Sequence, residues 1–410
     1  MSRVPRATAI AVALQGFGLG LGFVTSLLTT RAMDPVEFGR YRYVAVYALA
    51  LSTCMSFGVP HSLGRLTANA GVGGEMARLV GVGAMFIILS IGPLSVGGAY
   101  LARVGGNLVP KEVGGLLAYG GLAGSVQIGY SILQQVLPAR GDRLWYGLSQ
   151  VLPACIVGVV LCIVLAQRGR MTGETALALY TISMLVPLLV IWISRFGVSG
   201  PTLKAIKITA RDIVGNGIHL YQATLLNVLT NLLIVPVVGW LADVRNAGLF
   251  GLALNLVSPL TIIPTAYATL HLRDFANSKR LPGDIEARGL LLAAGLMVLL
   301  LSSGGLFVSA LLPRGYHSVS HLMIALAPGA AAMGAAMGYN RWLVAHGQGR
   351  VLLVCSFHSA VGLGIFGTVL GLQLGSLGMA LALSTSQLIY LFSVWATYKR
   401  ELQRGRDSET

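Results

Sequence analysis

Eleven stretches of the chain contain no Asp, Glu, Lys or Arg: 7–30, 44–64, 79–102, 113–139, 144–167, 175–194, 213–242, 246–272, 289–313, 315–340 and 351–398. Ten are 20 to 30 residues long and the last is 48. A helix crosses a hydrocarbon layer in about 20 residues. Each of the ten therefore predicts one transmembrane helix. The last predicts two, broken near Gly375, Ser376, Leu377 and Gly378. Barrel strands are about ten residues long and alternate in polarity, which these runs do not. In lipid a backbone must satisfy its own hydrogen bonds, so unbroken apolar runs become helices. The expected fold is an all-α polytopic membrane protein with twelve transmembrane helices. The first window follows Arg3 and Arg6 and lacks a clear small-x-small cleavage site before Arg31, so it is read as a retained helix.

Lys and Arg set the expected orientation. The loops on the side of the N-terminus carry 20 of the 29 basic residues and the opposite loops carry 9. Both termini are thus expected in the cytoplasm. The segment 196–212 places Lys204, Lys207 and Arg211 at helical spacing, with Leu203, Ile206, Ala210 and Ile213 one position away. It predicts a short amphipathic helix on the cytoplasmic surface, basic side toward the headgroups.

The chain repeats itself after about 207 residues. Asp34, Gly39 and Tyr41 correspond to Asp243, Gly248 and Phe250, Gln15 to Gln222, and Ala139, Gly141 and Arg143 to Ala345, Gly347 and Arg350. Six helices per half is an even number, so both halves enter the membrane from the same side and form parallel repeats around a central cavity. The expected organisation is a six-helix lobe over 1–200, a cytoplasmic amphipathic linker over 201–212, a second six-helix lobe over 213–398 and a cytoplasmic tail over 399–410.

Composition narrows the class. Charged residues are 10% of the 410, against about 25% in soluble domains, so a soluble enzyme is excluded. The net charge of +15 follows from the loop asymmetry and gives no evidence of nucleic-acid binding, because basic clusters with interleaved aromatics are missing. Cys54, Cys155, Cys162 and Cys355 all fall in predicted spans without metal spacing and are expected as small buried apolar residues. No GxxxxGK[ST] loop occurs, and no metal or cofactor is expected.

The region from Thr30 to Arg65 carries Arg31, Pro35, Phe38, Gly39 and Tyr41, then Phe57, Gly58 and Arg65. In that order these residues resemble the start of the polysaccharide or O-antigen flippases, the Wzx-type family of the multidrug/oligosaccharidyl-lipid/polysaccharide exporter superfamily. Gly248 through Pro264 resembles the corresponding region of the family's second half. The resemblance implies a flippase of the bacterial inner membrane, carrying an undecaprenyl-diphosphate-linked oligosaccharide from inner to outer leaflet for surface polysaccharide synthesis. The implied partners are the lipid-linked oligosaccharide, inner-membrane lipids and other polysaccharide assembly proteins, with no nucleic acid.

A diphosphate inside a cavity calls for Arg, which binds such anions bidentately. The candidates are Arg31, Arg65 and Arg341, the last beside Asn340 in helix 10. Charge within or near a membrane is costly and often functional, although the same residues can snorkel. Helix 7 is the most polar span, with His219, Gln222, Asn227 and Asn231 on one broad side. They suit either sugar hydroxyls or interhelical hydrogen bonds. No charge-free window holds a carboxylate for ion coupling, which weighs against a multidrug or small-molecule exporter of the same superfamily. A lipid II flippase would call for two extra helices. A glycan polymerase or ligase would call for a large outward loop, and the longest here has about ten to thirteen residues.

Overall fold

The computed structural model describes residues 6–69, 74–104, 111–167, 169–196, 200–214, 218–270, 275, 278, 280–281, 283–346 and 348–407. Side chains of some helical residues within these ranges, including Gln15, Arg65 and His219, lie outside what is described. The described residues form helices and no strand. In chain order the α-helices are α1 (Arg6–Ala32), α2 (Pro35–Met55), α3 (Val59–Asn69), α4 (Gly74–Val104), α5 (Leu117–Arg140), α6 (Arg143–Ala166), α7 (Gly173–Phe196) and α8 (Leu203–Asp212). Then follow α9 (Ile218–Leu232), α10 (Ile234–Leu241), α11 (Val244–Val257), α12 (Pro259–Leu270), α13 (Gly283–Leu311) and α14 (Val319–Ala345). The last apolar run forms α15 (349–374) and α16 (376–407), separated at Gly375, whose φ of 58° is the left-handed conformation that glycine adopts without penalty. The break falls where the sequence places it.

Each predicted window holds helix among its described residues, and eight described stretches are long and apolar enough to cross a membrane, the last of them spanning 55 residues. Besides the run broken at Gly375, three windows hold two consecutive α-helices, and proline explains each interruption. Pro60 has no N–H for the Ser56 carbonyl, and Val59 N–H bonds that oxygen at 2.9 Å instead. Pro259 cannot serve the Asn255 carbonyl; Ser258 takes its place through its N–H and Oγ (3.3 and 2.7 Å). Pro236 withdraws the donor for Leu232, where α9 gives way to α10. Pro93, Pro153, Pro187, Pro264 and Pro328 instead lie inside helices that run through them.

The chain divides into two compact units, 1–221 and 222–410, so the division falls inside α9. The first unit packs Leu63, Val80, Ile132, Leu133, Val136 and Leu188 into its core. The second buries Phe275, Met337, Leu343, Tyr390 and Val394. Helix α8 packs on α3 and α4. Its Lys204, Lys207 and Arg211 are exposed, as the sequence expects, but the buried side is Ala205, Thr209 and Asp212 and not the expected one. Ile206 and Ile213 are half-buried, and Leu203 and Ala210 are exposed. Of the cysteines only Cys355 is buried; Cys54 and Cys155 are half-buried and Cys162 is exposed on α6, because a lipid-facing helix need not hide a thiol from water.

The internal repeat recurs in the hydrogen bonds. Asp34 caps α2 through Val36 N–H and Glu37 N–H (2.9 and 3.0 Å), and Asp243 caps α11 through Asn246 N–H (2.6 Å). The turn after α5 bonds Asp142 N–H to Leu137 O at 2.9 Å, and the turn after α14 bonds Gln348 N–H to Leu343 O at 3.0 Å, 206 residues later. The helices following these turns begin with Tyr146 N–H on Asp142 O and Leu352 N–H on Gln348 O.

Close helix crossings rest on glycine. A Cβ at Gly121 of α5 would lie 2.5 Å from the Leu94 and Ser95 backbone of α4, whereas a Cβ at Gly364 of α15 meets nothing within 4 Å. Overpacking of this kind costs about 1–3 kcal/mol. Gly121→Ala should lower the thermal midpoint of the purified protein and its amount in the membrane, and Gly364→Ala should leave both unchanged.

Candidate functional site

The polar residues of helix 7 stand on α9. Asn227 Nδ2 donates to Ser356 Oγ of α15 at 3.3 Å. Asn231 Oδ1 accepts from Gln387 Nε2 of α16 at 2.8 Å, and its Nδ2 donates to the Asn227 carbonyl at 2.7 Å. One turn along the same pair of helices, Ser359 and Ser386 bond each other's hydroxyl and carbonyl groups at 2.8–3.1 Å. This polar seam ties α9, α15 and α16 together within the second unit. Gln222, five residues before Asn227, is exposed. His219 lies outside the described side chains.

Asn340 of α14 donates to the Tyr390 hydroxyl at 2.6 Å, so its amide is engaged in the unit's own packing. Arg341 is half-buried, with its Nε shielded from solvent. Arg31, in the last turn of α1, is exposed. Arg65 is on α3, its side chain outside the described set. Six of the eight sequence candidates have described side chains: Arg31 and Gln222 are exposed, Arg341 is half-buried, and Asn227, Asn231 and Asn340 hydrogen-bond within the protein.

Two polar clusters were not singled out by sequence. The first joins Arg140, Asp142 and Arg195. Arg140 Nε lies 3.1 Å from Asp142 Oδ2, Arg195 also pairs with Asp142, and Arg140 Nη1 donates to the Arg195 carbonyl at 2.6 Å. The guanidinium groups lie over Phe196 and Trp145 at 5.5 and 5.7 Å from the ring centroids. The cluster fastens the end of α7 to the α5–α6 turn. Its signal was Asp142, a single acid in a basic loop. In the second cluster the Tyr339 hydroxyl donates to Glu286 Oε1 at 2.6 Å, beside a small cavity lined by Tyr267, Gly289, Gly334 and Gly338. Glu286 lies three residues before the charge-free window, but the helix and its apolar stretch already include it. A carboxylate therefore does stand at the end of one span. Among the described residues no group of three His, Cys, Asp or Glu side chains is arranged to hold a metal.

These features define a multi-pass helical transporter fold. The chain belongs to the polysaccharide biosynthesis protein family, whose model matches residues 5–270. No curated protein matches the sequence. Among solved structures the chain is similar to the lipid II flippase MurJ in an inward closed conformation, with a TM-score of 0.76 at 14% identity over 96% of this chain and 89% of that one. It is also similar to an inward-facing multidrug resistance MATE family transporter of the MOP superfamily (TM-score 0.65, 13% identity, 99% and 96% covered). A third similar structure is a MOP superfamily transporter from Pyrococcus furiosus (0.55, 12%, 97% and 95%). At such identities the likeness shows the fold. Those solved structures are of a flippase and of transporters.

If Asn231 and Gln387 act as a fastener, their energies are coupled. A double-mutant cycle with Asn231→Leu and Gln387→Leu, followed by thermal unfolding in detergent, should give an interaction of about 0.6–1.7 kcal/mol. Strictly additive effects would return both residues to the substrate.

Proposed function

We propose that the protein flips an undecaprenyl-diphosphate-linked oligosaccharide from the inner to the outer leaflet of a bacterial cytoplasmic membrane. In this reading both termini are cytoplasmic, the path is opened by alternating access between two six-helix lobes, and the glycan is destined for a surface polysaccharide. The family match over residues 5–270 carries the reading, and the MurJ-like fold supports it. The physical task fits the composition. The sugar and diphosphate need a polar path, the lipid tail can remain in the bilayer, and no bond is broken, so no catalytic group is required.

In this orientation Arg65 and Arg341 stand toward the inner surface and Arg31 toward the outer one. They would take the diphosphate in succession, with Gln222 and, after local rearrangement, Asn227, Asn231, His219 and Asn340 offered to sugar hydroxyls. Removing one charged partner of an anion costs about 1.5–3 kcal/mol, or roughly tenfold in affinity at the low end. Arg31→Ala or Arg341→Ala should lower export about tenfold at unchanged protein level in the membrane. Normal export in both variants would take them out of the site.

The direct test is deletion in the native host, with lipid-linked glycans extracted and their leaflet assigned by accessibility in spheroplasts. The expected result is a diphosphate-linked oligosaccharide held on the inner leaflet and loss of one surface polysaccharide. The second reading, a multidrug or small-molecule exporter, draws on the MATE-like fold and on Glu286 as a carboxylate at a span end. Unchanged glycans with altered sensitivity to cationic drugs would favour it.

A further inference from the structure

The first unit contains a groove of about 540 Å³ between the start of α5 and α7, lined by Leu116, Tyr119, Leu122, Glu174, Ala178 and Ile182 among others. That volume is within the ordinary range of small-molecule sites, about 300–1,000 Å³. Its walls are apolar, with Tyr119, Leu122 and Ile182 all exposed into it or beside it at 44–66%. The threonine hydroxyls along it are used locally. Thr181 donates to the Leu177 carbonyl at 2.8 Å, and Thr175 lies 3.0 Å from the Thr172 hydroxyl. Apart from the exposed Tyr119 hydroxyl, the walls of the groove are apolar.

Its mouth differs. Glu174 stands in the first turn of α7, is exposed, and pairs with no cation among the described residues. The nearby Glu37 is already engaged, with Arg40 at 2.8 Å and with Gly173 N–H at 2.6 Å. From Glu174 to Ile182 is eight residues, about 12 Å of helix. The groove thus starts at the helix end, where a membrane surface would lie, and runs part of the way into a hydrocarbon layer about 30 Å thick. A charged mouth at the surface and an apolar body below it have the dimensions and polarity of one lipid. The sign at the mouth selects the headgroup, because a lone carboxylate attracts an ammonium and repels a phosphate that has no countercharge.

We propose that the groove between α5 and α7 seats one phospholipid with a primary-amine headgroup, its ammonium at Glu174 and one acyl chain along Leu122, Ala178 and Ile182. None of the residues proposed to meet the lipid-linked cargo lines this groove, so the proposal does not depend on which cargo the protein carries. It would be occupied in the resting membrane, where it supports the α5–α7 wall.

The full-length protein, reconstituted in vesicles of equal phosphatidylethanolamine and phosphatidylglycerol, is extracted in mild detergent and weighed by native mass spectrometry. The wild type should retain one phosphatidylethanolamine over phosphatidylglycerol by about threefold, the scale of one interfacial ion pair. Glu174→Gln should keep a bound lipid and lose the preference. Ala178→Trp, which places a ring in the groove from an exposed position, should lose the bound lipid, and Leu122→Trp on the opposite wall should do the same. Retention without preference in the wild type, an intact preference in Glu174→Gln, or an undiminished lipid in both tryptophan variants would overturn the proposal. So would binding of dodecyltrimethylammonium with no phosphatidylethanolamine retained, since the groove would then be a site for single-chain cations.

Discussion

A chain within hydrocarbon has no water to lend it hydrogen bonds, and this constraint governs where the helices stop as well as where they run. Where α2 and α11 are interrupted, carbonyls are freed and the structure supplies other donors. After α2 the chain passes through Phe57 and Gly58, both left-handed with φ of 46° and 77°, and α3 begins. The Cys54 carbonyl left behind accepts the Tyr221 hydroxyl at 2.5 Å. At the corresponding place in the second half the broken helix repairs itself with Ser258. One interruption is thus closed by a side chain 167 residues away and the other by its own neighbour.

The same pressure explains the use of polar residues elsewhere. Inside an apolar layer an unmatched amide or hydroxyl is costly, so these groups pair across helices or fold back onto their own backbone. The α9–α15–α16 seam does the first; Thr25, Thr29, Thr181 and Thr230 do the second, each bonding a carbonyl three or four residues earlier. The two compact units share caps and turns at matching positions, and both fasten their helices with polar side chains. The first unit adds an Arg–Asp–Arg cluster at a helix end to hydroxyl bonds such as Tyr180 to Gln127, and the second uses the Asn227, Asn231 and Gln387 amides with the Tyr339–Glu286 pair.

Much of this fold was legible because a membrane reads only two things, apolar length and charge-free continuity. The eleven charge-free windows, the exposed basic side of α8 and the break at Gly375 all follow from those two properties. The repeat was legible because Asp34 and Asp243 cap helices, a role that depends on local spacing. Site chemistry was less legible. Asn227 and Asn231 recur on one broad face whether that face meets sugar or another helix, and only the positions of Ser356 and Gln387 show what they touch. Glu286 escaped notice because a window defined by charge stops at Arg288, two residues short of it, even where the helix continues. The α5–α7 groove has no sequence signature, since it is made by the spacing of two helices.

The turn at Gly375 bears on how the chain enters the bilayer. Helices α15 and α16 are joined by a single glycine with no charged residue in the 48 residues from 351 to 398. Neither helix has a charged tether of its own at that end to hold it at the interface. The pair is therefore best inserted as one hairpin, with Lys399 and Arg400 at its far end setting the register. Half of the pair would leave an apolar end in the headgroup layer, so the biosynthetic machinery must release the two together, and the last step of assembly is a two-helix step.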